Sequence, residues 1–361
     1  MKTIYLLSLT FMLCGFTACQ KEQKYANSIE LSNNLEDAKN SETITNIEFL
    51  HLEETDSSII SNIGRIGRYK DVWYIFDNKQ QKILSFDNRG KNLASYDKIG
   101  QGKGEYIEIK SFDIDPVNGY IYLLCPQKIV VLNEKLFLKN EIPLEHYYWR
   151  IAYFEEGLFL LSLNDTHIDY MSLNDYSIRT VLEVDGDKYD IPGPEPYFMK
   201  SEGKVYFHIE SVDKLFELSG DTIKTVLTFD YNYKEESNSF FKKNTIDALD
   251  IEKRFKYARP NIQCVISKNN EIESLIYSQY IYGICIKTDS VYKKMILKIP
   301  CNEAMYCYND TVVTWMYANE YSAEMFNQDN PYDGVIVDYI DGDMNDSENP
   351  ILVLCKLRRR C

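Results

Sequence analysis

The stretch VWYIFDNKQQKILSFDNRGKNLASYDKIGQGKGEYIEIKSFDIDPVNGYIYLLCPQKIVVLNEKLFLKNEIP, Val72 to Pro143, decides the fold. Short apolar runs alternate in it with turn chemistry, and the pattern repeats. Val72–Asp77, Lys82–Asp87 and Asn92–Ile99 form one set; Ile109–Asp115, Gly119–Cys125, Lys128–Asn133 and Leu136–Pro143 form the next. Gly90 in Asn88-Arg89-Gly90 suits a left-handed position that other side chains resist. In Asp115-Pro116-Val117-Asn118-Gly119 the proline fixes one φ, and Asn118-Gly119 falls where a positive φ is needed.

Outward from this stretch the sets continue. Tyr148–Phe154, Gly157–Leu163, Ile168–Leu173 and Ser177–Val184 make a third; Phe198–Met199, Lys204–Glu210, Lys214–Leu218 and Thr222–Phe229 a fourth. Apolar anchors at Tyr74, Ile121, Leu158 and Val205 recur at roughly 37 to 47 residues, a period of propeller blades. The early strands of each set are apolar on both faces and so must be covered on both sides. Later strands such as Asn92–Ile99 are more polar, as befits a wet outer rim. Between Tyr231 and Tyr257 the period changes: Phe240, Phe241, Ala248, Leu249 and Phe255 lie at helical spacing, which predicts a helical insertion near 237–258. Strands resume from Ile262, and a short helix is expected around Tyr321–Phe326. The last set, ending in Ile351–Leu357, is one strand short, while the strand in Ser41–Glu53 is spare. Pairing the two closes a ring and removes open edges.

The N-terminus reads as an address. Met1-Lys2 is basic, and Ile4–Phe16 is apolar but too short to span a bilayer. Phe16-Thr17-Ala18-Cys19 resembles a bacterial lipobox, with Phe16 in place of the usual Leu. That resemblance implies cleavage before Cys19 and acylation of Cys19, with enough chains for stable anchoring in the lipid bilayer. The expected organisation is a lipoprotein signal peptide at 1–18, a polar flexible tether at 19–41 and the propeller at 42–361.

The repeats and the lipobox together resemble the six-bladed β-propeller lipoproteins of Bacteroidetes, relatives of NHL-like and TolB-like propellers. FDNRGKNL, the loop Ile99 to Tyr106, SFDIDPVNGYIYLL and the terminal NPILVLCKL carry the resemblance, with Lys103 where the family more often has proline. It implies an all-β fold of six four-stranded antiparallel blades, closed by the N-terminal strand in the last blade. The implied location is the cell envelope, at the outer membrane. The resemblance implies no settled activity.

Composition narrows the function classes. With 40 Lys and Arg against 55 Asp and Glu, the formal net charge is −15, which argues against nucleic acid as a partner. Gly100, Gly102 and Gly104 do not make a phosphate loop, because Glu105 stands where Lys-Ser/Thr is required. In the acidic stretch from Asp338 to Glu348, Asp341, Asp343 and Asn345 match only the first ligand positions of a calcium loop. His51, His146, His167 and His208 have no metal-ligand spacing, and no GxSxG elbow occurs, so no cofactor and no metal is expected. Cys125, Cys285 and Cys355 lie in apolar strands; Cys301 and Cys307 are near enough in sequence to bridge.

The densest surface-type cluster is His146-Tyr147-Tyr148-Trp149-Arg150 at the entry to the third set; Tyr148, Trp149 and Arg150 are the expected binding residues, which Tyr197, Arg254 and Arg259 could join on one face. Period-two alternation, however, sends Trp149 to the face opposite its neighbours. The expected function is a non-enzymatic binding or scaffold propeller for a glycan, peptide or envelope protein. The alternative is a hydrolase or lyase using carboxylates near the propeller axis.

Overall fold

The computed structural model describes residues 28–30, 43–162, 167–183, 198–209, 213–220, 222–230, 261–269, 271–278, 282–288, 291–296, 306–320, 335–338 and 349–358. Two early strands, β1 (Ser28–Glu30) and β2 (Ile44–His51), join sheets built later in the chain. The first local sheet is β3 (Ile63–Tyr69), β4 (Val72–Asp77), β5 (Lys82–Asp87) and β6 (Asn92–Tyr96). The second is β7 (Ser111–Ile114), β8 (Ile121–Cys125), β9 (Lys128–Leu132) and β10 (Leu138–Pro143). The third holds β11 (Tyr148–Phe154), β12 (Gly157–Ser162), β13 (His167–Ser172) and β14 (Ile178–Glu183). In the fourth are β15 (Phe198–Ser201), β16 (Lys204–Phe207), β17 (Lys214–Leu218) and β18 (Ile223–Asp230). The fifth comprises β19 (Asn261–Lys268), β20 (Glu271–Ser278), β21 (Tyr282–Thr288) and β22 (Val291–Ile296). The sixth begins with β23 (Tyr306–Tyr308) and β24 (Thr311–Met316); β25 (Ile336–Asp338) and β26 (Ile351–Leu357) follow.

Each sheet has four antiparallel strands at its heart, consecutive in the chain in the first five; in the sixth the order is β23-β24-β26-β2-β25, with β2 drawn from the N-terminal part. The first strands of the sheets contact one another in a ring, β3 to β7, β7 to β11, β11 to β15, β15 to β19, β19 to β23 and β23 to β3. The fold is therefore an all-β propeller with its first strands innermost. Strand β2 pairs antiparallel with β26 from Ile44–Leu357 to His51–Ile351, so the spare N-terminal strand completes the last sheet as the sequence predicts. Parallel fifth strands edge two sheets: β1 along β18 and β25 along β2. The first of these, Ser28–Glu30, lies inside the segment 19–41. Residues 237–258 and 321–326, where helices are expected, lie outside the described residues; a 3-10 turn spans Ala318–Glu320.

The seams between sheets are apolar, as strands covered on both faces require. Ile66, Trp73 and Leu84 of the first sheet pack with Trp315, Leu352 and Leu354 of the sixth, so the closing seam is a hydrophobic core like the others. Tyr74, Phe76 and Ile83 pack with Phe112 and Leu123 between the first and second sheets. The fifth and sixth are also joined covalently: Cys264 of β19 and Cys307 of β23 form a disulfide with Cα atoms 6.3 Å apart. Cys307 thus pairs across a seam, not with the nearby Cys301, which lies outside the described residues. Cys125 and Cys355 are buried inside strands and take no part in a disulfide among the described residues, and burial pushes the Cys125 thiol up to about 12.

The turns follow the local chemistry. Gly90 has φ +79°, and a Cβ there would sit 1.8 Å from the His51 carbonyl oxygen. Gly119, at φ +72°, lies against the Tyr69 ring. In the Gly100–Glu105 loop the Glu105 carboxylate accepts the Gly102 N–H at 2.7 Å, so the loop satisfies itself where a phosphate loop would bind a ligand.

Candidate functional site on the innermost strands

Strand β11 contains the sequence-predicted cluster, and its register explains what each member does. Tyr148 pairs with Ser162 and Arg150 with Leu161, so Trp149 is the extra residue of a β-bulge. A bulge releases its residue from the alternation of faces. Tyr148 consequently points into the seam between the second and third sheets, 1% exposed, and its hydroxyl donates to Asp169 at 2.7 Å. It is an interior residue and offers no surface to a ligand. Trp149 stays half-buried, with the Lys110 ammonium 5.0 Å and the Arg150 guanidinium 5.6 Å from its ring centroid. Both cations are attracted by the ring's negative face and keep charge beside it. Arg150 is largely buried and donates from Nη1 to the Trp149 carbonyl at 3.1 Å. Tyr197, Arg254 and Arg259 lie outside the described residues.

The same device recurs on two other innermost strands. In β3 the register slips between Ile63 and Arg65, leaving Gly64 as the bulge residue; in β19 it slips between Ile262 and Cys264, leaving Gln263.

Deeper along the axis lies a group of charges that sequence reading did not single out. The Lys200 ammonium of β15 forms an ion pair with Asp113 of β7 and donates to the Ile114 carbonyl at 3.3 Å. The Tyr153 N–H of β11 donates to the same Asp113 carboxylate at 2.6 Å, so residues of three sheets meet there. Burial holds the Lys200 ammonium below its ordinary range, with Arg65 adding to the effect and Asp113 opposing it. Its side chain keeps 30% exposure despite these close neighbours. Tyr306 of β23 lies within electrostatic range of Asp113, Arg68 and Arg65, and burial raises its phenol well above the usual value. The Arg68 guanidinium lies 4.9 Å from the centroid of the Trp73 ring and 4.4 Å from that of Tyr308, two rings that meet edge to face, and pairs with Asp71 at 3.7 Å.

Carboxylates near the axis are already committed. Asp115 accepts the N–H groups of Val117 and Asn118 at 2.8 and 3.2 Å and the Asn118 side-chain amide at 2.8 Å. Asp113 serves Tyr153 and Lys200. Neither is poised as one of a pair of acid and base groups.

Residues 26–356 match the family described as a domain of unknown function, DUF4934. The chain belongs to this family. No curated protein matches the chain. Among solved structures it is similar to a Bacteroides fragilis protein whose name records an inferred export. The identity is 16% and the TM-score 0.67, over 92% of this chain and all of the other. A DUF4221 family member from Bacteroides vulgatus is similar at 10% identity and TM-score 0.52, over 89% of this chain and 99% of the other. These likenesses support the propeller fold and, at such identities, nothing finer.

Proposed function

We propose that the chain is a binding propeller of the cell envelope, a non-enzymatic receptor or scaffold for a glycan or peptide. In this reading the six sheets are six blades, the chain is a lipoprotein anchored to the outer membrane through acylated Cys19, and the rim at β11 receives the ligand. The observation that carries the binding role is the bulge at Trp149. It exempts a large flat ring from the seam and leaves it half-buried between Lys110 and Arg150. An indole offers an apolar face and one N–H donor, which suits sugar rings and peptide backbones. The exported name of the Bacteroides fragilis relative accords with the envelope location. The committed state of Asp113 and Asp115 gives no support to a hydrolase or lyase.

The test is a glycan and peptide array probed with the full chain in detergent, followed by titration of any hit. Trp149→Ala should weaken a true ligand by about 2 kcal/mol, roughly thirtyfold. Unchanged affinity in that variant, or turnover of the hit by the parent, would overturn the reading.

A further inference from the structure

We infer that Asp169 is the positioning residue of the Trp149 rim: as a buried acceptor it selects Tyr148 over Trp149 for one slot in the seam, and so keeps the indole where a glycan or peptide would meet it. The consequence for a ligand rests on the binding role proposed for Trp149; the selection itself does not. From Phe154 back to Arg150, β11 pairs residue by residue with Gly157 to Leu161. Ile151 and Tyr153, with Leu160 and Leu158 opposite them, pack in the seam between the second and third sheets; Ala152 and Phe154, with Phe159, pack in the seam with the fourth. Continued without a bulge, this alternation would pair Trp149 with Ser162, turn the indole into the first of these seams and send Tyr148 to the opposite face. The bulge reverses the outcome: Tyr148 pairs with Ser162 and fills the slot. Two adjacent aromatic residues thus compete for one position, and burial alone would favour the larger indole.

Asp169 reverses that preference. It lies in β13 opposite Leu160, on the face of the slot, and is 4% exposed. Its Oδ2 accepts the Tyr148 hydroxyl and its Oδ1 the Thr180 hydroxyl, each at 2.7 Å, and His167 Nε2 lies 3.5 Å from Oδ2. A carboxylate withdrawn from water is costly unless its lone pairs are met, so the arrangement that meets them is the one selected. Tyrosine carries its O–H at the tip of the ring, where it reaches Asp169; tryptophan carries its N–H on the flank of a wider ring. Burial, with Asp169 adding to it, holds the Tyr148 phenol well above its usual range, so it remains a donor. A slip of one residue would take Tyr148 away from Asp169 and break a charge-assisted bond.

The experiment needs no ligand, so its failure and that of the binding role are distinguishable. Of the chain's three tryptophans, Trp73 and Trp315 are each 2% exposed and Trp149 is half-buried. Acrylamide quenching of the full chain's fluorescence therefore reports on Trp149, with Trp149→Phe as the baseline. Loss of a hydrogen bond to a buried carboxylate shifts the balance of the two registers by about tenfold or more. In Asp169→Leu and Tyr148→Phe, quenching should fall toward the baseline and emission move to shorter wavelength as the indole enters the seam. Asp169→Asn, which keeps an oxygen for the Tyr148 hydroxyl, should quench like the parent. A merely structural role for Asp169 would instead loosen the seam and raise quenching. Circular dichroism confirms the fold of each variant; should Asp169→Leu fail to fold, Tyr148→Phe carries the test. Parental or greater quenching in the folded Asp169→Leu and Tyr148→Phe variants overturns the inference. A fall in quenching supports it even where the array yields no ligand for Trp149, a result that would remove the binding role alone.

Discussion

Asn349→Ala should unfold the ring at its closure. Asn349 precedes Pro350 at the head of β26 and is 0% exposed. Its Oδ1 accepts the Ile60 N–H at 2.8 Å, and its Nδ2 donates to the carbonyls of Glu53 and Ser58 at 3.0 Å and of Leu52 at 3.4 Å. These partners all lie on the segment that carries the chain from β2, in the last sheet, to β3, in the first. One amide therefore fastens the connection on which closure depends. Truncation to alanine leaves a buried N–H without an acceptor, at about 1–3 kcal/mol, and removes two good bonds to carbonyls at about 1 kcal/mol each. The expected loss is about 3–5 kcal/mol, read as a lower urea midpoint at unchanged m-value. Asn349→Asp keeps the acceptor for Ile60 but loses the donors and buries a charge, so it should be no better than alanine. A loss under about 1 kcal/mol in Asn349→Ala would mean that water replaces the amide or that the ring does not rely on this segment, and the reasoning would fail.

Two further predictions rest on the seams and on buried phenols. Cys264 and Cys307 are 43 residues apart, so reducing their bridge, or Cys264→Ser, should cost about 3–4 kcal/mol by loop-closure entropy; no change in the urea midpoint on reduction would refute a structural bridge. Burial raises the phenols of Tyr96 and Tyr153 to about 12. A folded value above the unfolded one gives stability that is complete below about pH 10 and is lost as pH rises through the folded value. Each buried phenol should therefore withdraw about 2–3 kcal/mol by pH 12, and Tyr96→Phe or Tyr153→Phe should remove phenolate absorbance only from the step that accompanies unfolding; loss of absorbance near pH 10 in either variant would contradict this.

Much of the fold was legible because the local signals agree. Val72–Asp77, Lys82–Asp87, Tyr148–Phe154 and Ile351–Leu357 keep the bounds that their apolar runs and turns suggest. Gly90 sits where a hairpin demands positive φ, and a spare strand plus a missing one foretold the β2–β26 pair. What was hidden depends on register or on several sheets at once. The bulge at Trp149 exists because β12 supplies one residue fewer than β11, which β11 alone does not reveal. Proximity in sequence pointed Cys307 toward Cys301, whereas the ring brings Cys264 to it. Asp113 and Lys200 read as ordinary polar positions in separate repeats, and only the radial arrangement makes them a pair. Ser28–Glu30 is polar and short, and its strand arises from the free edge of β18 rather than from its own pattern.

The bulges also bear on why candidate function collects on these strands. An innermost strand is covered by a neighbouring sheet on each face, so its alternating positions are committed to packing. Ile151 and Tyr153 of β11 serve one seam, and Ala152 and Phe154 the other. Substitution at such positions opens a cavity or forces an overpacked core. A bulge residue carries no such obligation, because it has no cross-strand partner to match. The three bulges near the start of β3, β11 and β19 hold chemically unrelated residues. Gly64 has an added Cβ's space filled by Asn78 at 2.8 Å, Trp149 is held by cations, and Gln263 is buried with neither amide atom matched among the described residues. One backbone device thus serves close packing in one sheet, a half-exposed ring in another and a buried amide in a third. The chemistry of the axis can change at these positions while the seams that hold the ring together remain intact.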